Sequence, residues 1–497
     1  MKPSKKKKNR QLSVFIGLCL LSLSLLQAEE TTLTLSECIR MAMQKNLNLS
    51  FQRLNPEISK AQLLSAKGDF DLVFSINNSY SETDTPVSSS TFTTVHEEDH
   101  TFGLSQKTPF GTVLGLSNTL DNSSSNLGNY HDSYSSFWGA SFTQPLLKNF
   151  GTDNNLFNIR SAQLDVNISD ASFQNTIDQT VTDVANAFFE LRFAREDLQS
   201  KRLFLQYAEQ LLIENKTRLE IGTMTKLDVS QANFEVATRT EEIIQAEREI
   251  KTRENDLKLL ITDQFQDWLN KTIIPNPDPV FETTPPTISK AFNNALTNRP
   301  DLLQIKKSAE QKNLILQYQK NQEWPQLDLY GSYGFNGLDN TVSSSFRDVS
   351  EFNKDEWTIG LSLKIPFQNR LARGVRQQAQ LQQQQTLIQV KQKEQTIMSE
   401  VDNALGQVLT NQKRVESTES GRAYAEETLE AEREKYSAGA STTFTVLRLQ
   451  RDASDAQSKE IRAKIDLEKS LAELHRVQGL SLVYVQEAKN TPPLSNP

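Results

Sequence analysis

Residues 218–237, RLEIGTMTKLDVSQANFEVA, interrupt a long charged segment of helical character at Gly222. A glycine there can take the left-handed conformation that ends a helix, and Thr223 or Thr225 can cap a new one. The stretch therefore reads as the turn of a helical hairpin. Residues 435–450, KYSAGASTTFTVLRLQ, read the same way, with Gly439 as the stop and Ser441 or Thr442 as the cap.

The two hairpin turns belong to a longer duplication. Residues 34–49, TLSECIRMAMQKNLNL, match residues 287–302, TISKAFNNALTNRPDL, with Ala42 falling on Ala295. ASFTQPLLKNFG around Pro145 matches LSLKIPFQNRLARG around Pro366, and these two prolines mark strand-to-helix junctions. Three anchors in one order indicate two structural repeats per chain. Between them, TIIPNPDPVFETTPPT is too rich in proline to continue a helix.

Composition limits what such a chain can be. At 497 residues, 37% hydrophobic content and a mean hydropathy of −0.53, a single compact core is not expected. The N-terminus carries Lys5 to Lys8 and Arg10, then a broken apolar run over 12–26, then Ala28, which is the pattern of a secretory signal peptide. Cleavage after Ala28 would leave 48 basic against 62 acidic residues, taking the net charge from −8 to −14. That balance argues against a nucleic-acid partner. Cys38 alone would survive cleavage, so no intramolecular disulfide is expected. Beyond the leader no run of eighteen apolar residues occurs, which leaves a soluble chain or one that contributes strands to a barrel.

Strand patterning favours the barrel. In WTIGLSLKIPF, Trp357, Ile359, Leu361 and Leu363 alternate with Thr358, Gly360, Ser362 and Lys364, giving one apolar and one wet face. LDLYGSYGF (327–335), FDLVFSINNSY (70–80) and SSFWGASFTQP (135–145) take equivalent places. HTFGLSQKTPFGTVLGLSNT (100–119) has no counterpart in the second half, and the sequence leaves open whether it adds two barrel strands or forms a surface hairpin. The helices are long: about 154–221 and about 373–438 each reach roughly 100 Å at about 1.5 Å per residue. The shorter helices, about 34–67 and 225–262, match a long one when placed end to end. Rods of that length cannot bury seams such as Val181, Val184, Ala185, Phe188 and Leu191 within one chain, so a ring of several subunits is expected.

In these features the sequence resembles the TolC-type outer-membrane efflux proteins, over nearly all of the chain from Thr34 to about Gly479. The most telling pieces are the two hairpin turns, Pro145, Pro366, and Pro300 to Leu302. The resemblance implies a mixed α and β fold: a homotrimeric outer-membrane β-barrel continued by a long periplasmic α-helical barrel of coiled-coil hairpins. It implies contact with outer-membrane lipid, docking to a periplasmic adaptor and an inner-membrane pump or exporter, no cofactor and no enzymatic reaction. It also implies a gate at the periplasmic tips, where Asp228 matches an aspartate of the first repeat and Tyr436 a tyrosine that bonds it. The second repeat departs from the family pattern, with Thr445 and Arg448 at positions of two aspartates and Ser441 at that of a basic residue. These departures imply a weaker latch and an entrance less selective for cations.

The chain accordingly divides into a signal peptide (1–28), a first repeat (29–271; strands about 70–145, hairpin about 154–262), a proline-rich linker (272–286), a second repeat (287–479; strands about 326–366, hairpin about 373–478) and a C-terminal tail (480–497). Two other readings compete. A periplasmic coiled-coil adaptor or scaffold would share the hairpins but has no use for a strand with a lipid-type face. A secreted zinc peptidase would rest on HEEDH (96–100), whose chemistry needs both histidines on one face of a helix, whereas the flanking residues suggest a loop entering a strand. The glutamine-rich run at 375–389 keeps a sparse helical spacing and reads as a solvated or lumen-facing helix.

Overall fold

A computed structural model describes residues 29–88, 91–125, 133–276 and 285–481. The expected signal peptide and nearly all of the expected tail lie outside these residues. In chain order the first half contains β1 (Glu29–Thr34), α1 (Leu35–Lys45), α2 (Leu47–Lys67), β2 (Val73–Ser88), β3 (Thr91–Lys107), β4 (Val113–Ser125), β5 (Ser133–Pro145), α3 (Thr152–Asn155), α4 (Phe157–Glu220), α5 (Lys226–Ile261) and β6 (Lys271–Asn276). The second half contains α6 (Ile288–Asn298), α7 (Pro300–Gln322), β7 (Gln326–Asp339), α8 (Val342–Ser350), β8 (Asp355–Lys364), α9 (Arg370–Ser437) and α10 (Thr443–Val477). The long helices α4 and α9 run 64 and 68 residues, and their return helices α5 and α10 run 36 and 35.

The opening helix of each repeat, expected as one piece in the first half, is two. Asn46 breaks the first in an extended conformation (ψ 123°), accepting from the Leu49 amide at 2.9 Å and donating to the Leu260 carbonyl at 2.9 Å. Asn46 thus caps α2 and ties it to α5. Arg299 occupies the matching place of the second repeat with ψ 121°, and Pro300 follows at the first helical position, where a missing amide costs nothing. The aligned positions are buried alike: Cys38 and Ala291, Ala42 and Ala295, Leu49 and Leu302.

The chain forms two compact units. Of the described residues, the first comprises 29–52, 174–276, 285–299 and 396–481. Its core joins both repeats, because Cys38 and Ile39 of α1, Phe188 and Leu191 of α4, Leu257 and Ile261 of α5, and Ile465 and Ala472 of α10 pack together. β1 and β6 pair in parallel beside this core, Glu29 opposite Lys271 through Thr34 opposite Asn276. The expected linker therefore begins as a strand: Ile273 is fully buried and anchors it, and Pro275 sits in a two-stranded ribbon, where proline's missing donor is tolerated.

Ion pairs stitch the helices of this unit along their length. Glu190 of α4 accepts from Arg462 at 2.9 Å and Lys469 at 2.6 Å, both on α10. Arg192 reaches Glu468 of α10 at 2.7 Å. On α5, Glu235 is buried between Arg239 and Arg451, each at 3.0 Å.

The second unit comprises 53–173 and 300–395 and holds a six-stranded antiparallel sheet in the order β2-β3-β4-β5-β7-β8. Both strands of the 100–119 hairpin belong to it, turning at Gly111 (φ 95°). Its two faces differ in chemistry. One row of directly opposed residues crosses all six strands as Phe74, Leu104, Leu116, Ala140, Tyr333 and Trp357. On the other face the corresponding row is Ser75, Gly103, Ser117, Gly139, Gly334 and Glu356.

Pro145 ends β5 opposite Asp328, and Pro366 follows the end of β8. After each proline an asparagine takes positive φ, Asn149 at 63° and Asn369 at 41°, before the long helix starts. Asparagine tolerates this backbone because its side chain bonds locally. Here Asn321 ties in the first turn, donating to the Leu147 carbonyl and accepting from the Asn149 amide, and Asn369 donates to the Glu323 carbonyl at 2.8 Å.

Glu235→Gln leaves buried Arg239 with partly exposed Glu242, 3.0 Å away, as its remaining counter-charge, so the expected loss of unfolding stability is about 2 kcal/mol, below the roughly 3 kcal/mol of a fully uncompensated buried charge. Denaturant titration of the solubilised protein checks this, with half-exposed Arg451→Met expected to cost clearly less.

Candidate functional site: the hairpin tips

Both tips lie in the first unit and are built alike. Gly222 (φ 80°) and Gly439 (φ 76°) end α4 and α9. The Thr223 amide reaches back to the Arg218 carbonyl at 2.9 Å, and the Ala440 amide to the Lys435 carbonyl at 2.8 Å, the six-residue closure that an αL glycine permits. Of the threonines and serine considered as caps, Thr225 and Thr442 fill the role. Asp228 completes a capping box in the first tip: Thr225 donates its amide at 3.1 Å and its hydroxyl at 2.6 Å to the Asp228 carboxylate. The aligned Thr445 offers only a hydroxyl, 3.0 Å from that of Thr442.

Between the tips a buried polar cluster connects the repeats. Tyr436, 2% exposed, donates to the side-chain carbonyl of fully buried Asn215. Asn215 donates in turn to the Thr443 hydroxyl at 3.2 Å and the Asp228 backbone carbonyl at 3.3 Å. Arg218 stacks 4.6 Å from the Tyr436 ring centre and donates to the carbonyls of Tyr436 and Ser437 at 3.0 and 3.3 Å. The Tyr436 hydroxyl, expected to bond Asp228, bonds the side chain of Asn215 instead. The Asp228 carboxylate is engaged chiefly by its own helix start, and it meets the cluster through Thr443 and through its backbone carbonyl. A cleft of about 210 Å³ opens beside it, lined by Tyr207, Leu211, Glu214, Arg433, Tyr436 and Val446.

Charge is arranged accordingly. The Thr225 hydroxyl holds the Asp228 carboxyl below its ordinary pKa, against an opposing effect of burial, with help from the Thr225 amide and Thr443. Burial pushes the Tyr436 phenol upward, which keeps it a donor. In the second tip Ser441 donates to Glu432 at 2.5 Å and Lys435 lies 3.2 Å away. The Ser441 hydroxyl, Lys435 and the charge of exposed Arg448 together lower the Glu432 pKa. Ser441 and Arg448 therefore act on one acidic residue of the second tip, Glu432, Thr445 lies against the Thr442 cap, and Asp228 and Tyr436 meet through Asn215 and Thr443. Asn215, Arg218, Thr443 and Glu432 carry no local sequence signal. Asn215 joins the site because the second hairpin lies against the first, whereas Glu432 joins it through the return of its own hairpin, which brings Ser441 to its carboxylate.

HEEDH lies within β3 rather than in a loop entering a strand. Two histidines four residues apart on a strand are about 13 Å apart at 3.3 Å per residue, too far to share an ion. His96 instead lies 3.2 Å from the Tyr80 hydroxyl and His100 2.9 Å from the Asn78 side chain. No group of metal-ligating residues is found among the described residues, and the peptidase reading loses its geometry.

Paired helical hairpins joined to a two-faced antiparallel sheet, duplicated within one chain, define the fold of outer-membrane channels with long helical extensions. The model of the outer membrane efflux protein family matches residues 110–262 and 291–480, well over half of the chain, and the protein belongs to that family. Membership places it in the outer membrane with a periplasmic extension. The pyoverdine export outer membrane protein OpmQ of Pseudomonas aeruginosa is 22% identical over 299 residues, so the chain spans about 60% of that relative's length. The outer-membrane channel OprN superposes with a TM-score of 0.69 at 14% identity, covering 90% of this chain and 89% of that one. The outer membrane protein VceC of Vibrio cholerae gives 0.67 at 16% identity, covering 90% and 96%.

Tyr436→Phe strands the Asn215 carbonyl without its donor and is expected to cost about 1–3 kcal/mol. Gly439→Ala meets no atom within 4 Å, so its expected loss of about 1–2 kcal/mol is backbone strain alone. Unfolding midpoints of the two variants measure these costs. Because the folded pKa of Asp228 is depressed, its cap contributes fully above the unfolded value near 3.9 and is lost as pH falls through the lower folded value. Protection of the tip amides in hydrogen exchange is expected to fall over that acid range in wild type, and Asp228→Asn to abolish the dependence.

Proposed function

We propose that three copies of this chain form a passive outer-membrane duct, the exit channel of a tripartite efflux or type I secretion system, which carries small molecules or proteins outward without catalysing a reaction. The observation that carries the reading is that one chain holds a sheet with an apolar row across six strands and a paired set of long helical hairpins. A sheet with that face suits lipid on one side and water on the other. Its end strands cannot remain unpaired in hydrocarbon, where each unsatisfied backbone group costs several kcal/mol.

The helices also call for neighbours. On α2, Leu47, Phe51, Leu54 and Ile58 are each more than half exposed and follow a seam spacing of four, three and four residues. A second copy supplies what would cover them. The tips are then the periplasmic entrance, where an adaptor and an inner-membrane pump dock and where Asp228, Tyr436, Ser441, Thr445 and Arg448 form the gate. The Tyr436 cluster is the latch. Arg448 beside Glu432 offsets the acidity of the ring and weakens selection for cations. A periplasmic scaffold shares the hairpins but leaves the apolar sheet face without a purpose.

Conductance of the detergent-extracted protein in a planar bilayer tests this reading. Stable steps are expected, with reversal potentials moving toward cation selectivity in Arg448→Asp and away from it in Asp228→Asn. Unchanged selectivity in both would remove the gate from the tips. A chain released by osmotic shock without detergent, and silent in the bilayer, would be a scaffold.

A further inference from the structure

We propose that the β2–β3 hairpin is part of the membrane wall and that the free edge of β2 pairs with the free edge of β8 on a second copy of this chain. Each subunit then supplies six strands, four from its first half and two from its second. The inference rests on the trimeric outer-membrane reading above and adds which edges meet and how wide the wall becomes.

Three features of the sheet carry it. First, the apolar row does not stop at β4: Leu116 is opposed by Leu104 of β3 and Leu104 by Phe74 of β2, and the next pair, Phe102 and Ile76, is apolar too. A hairpin lying outside the wall would have no reason to continue its lipid-type face. Second, β3 pairs with β4 over thirteen consecutive positions, from Val95 opposite Ser125 to Lys107 opposite Val113, so excluding the hairpin would break a complete ladder. Third, all five neighbouring pairs are antiparallel, so the two end strands of this even-numbered sheet run in opposite directions. The β2 edge of one copy can therefore take the β8 edge of the next with the same antiparallel pairing. β2 has 16 residues and β8 has 10, and about 9–11 tilted residues suffice to span the hydrocarbon. The remainder of the hairpin is polar, with Glu82, Asp84, Glu97 and Asp99, and extends past that band.

Six strands from each of three copies make eighteen. Barrels of 16–18 strands hold an open aqueous channel, because diameter grows roughly linearly with strand number. The wall then sets no narrow size limit on cargo, and the constriction lies elsewhere in the duct.

Paired cysteines distinguish the edges. Ser75→Cys or Ser79→Cys on β2 is combined with Thr358→Cys or Ser362→Cys on β8, all on the polar face, and Ser117→Cys on β4 is combined with the same β8 positions. Native Cys38 is fully buried and stays silent. After oxidation in isolated outer membranes, covalent dimers and trimers are expected from β2–β8 pairs and only monomers from β4–β8 pairs. Covalent multimers from β4–β8 pairs, or from neither set while native mass spectrometry of the wild type shows a trimer, would overturn the six-strand wall. A wild type that is monomeric by native mass would instead overturn the trimeric reading itself.

Discussion

A two-helix hairpin has too few neighbours to hide an apolar stripe along its whole length, and the first unit depends on how that deficit is met. Phe188 and Leu191 of α4 are buried because α1, α5, β6 and, from the other repeat, α10 converge on them. Neither repeat could form this core alone. Duplication here is a packing requirement, since each half supplies a face that the other half lacks. The ion pairs follow the same logic. Glu190 and Glu235 sit where helices of different repeats meet, and each is matched by two cations of which at least one comes from α10. Pairs that are buried or partly buried in this way add little net stability over apolar contacts, but they penalise any sliding of one helix past another.

Much of this arrangement was legible in the sequence, and the illegible parts have a common cause. Gly222 and Gly439 announce their turns because the αL conformation selects glycine locally. Trp357 to Leu363 announces a strand because the side-chain period of two is also local. The break at Asn46 could not be read that way: asparagine is tolerated in a helix, and its use as a cap depends on the Leu260 carbonyl, 214 residues away. Arg299 gave a clue through Pro300, but only after alignment of the repeats. The pairing of β1 with β6 is likewise non-local, and it converts proline-rich sequence into strand. At the tip, Tyr436 was found by resemblance while its partner Asn215, 221 residues distant, lies in the middle of a charged helical run without any distinguishing neighbour.

The two tips show how a repeat can diverge without losing its geometry. Both keep the glycine, the threonine cap and the six-residue closure, which are backbone requirements. The acid at the third helical position is kept only in the first. There it serves the helix, since an N-terminal carboxylate both completes the capping box and favours the helix dipole. At the matching place of the second tip Thr445 carries no charge, and its hydroxyl lies against that of the Thr442 cap. Glu432, on the preceding helix α9, is instead held by Ser441 and Lys435, with Arg448 within electrostatic reach. Ser441 and Arg448 thus act on the same carboxylate, that of Glu432.

The sheet diverges in the opposite manner. Its two halves contribute unequally, four strands and two, yet the chemistry of each face continues across the junction of β5 with β7 as smoothly as within either half. Ala140 opposite Tyr333 keeps the apolar row, and Gly139 opposite Gly334 keeps the small-residue row. Parity alone explains why such an insertion is tolerated. Adding a hairpin adds two strands, so the ends of the sheet still run in opposite directions and every residue keeps its face. Adding one strand would have set the two end strands parallel and left copies unable to join with uniform antiparallel pairing. On the proposed assembly, a wall built from several copies grows only in pairs of strands, and one hairpin is the smallest such step.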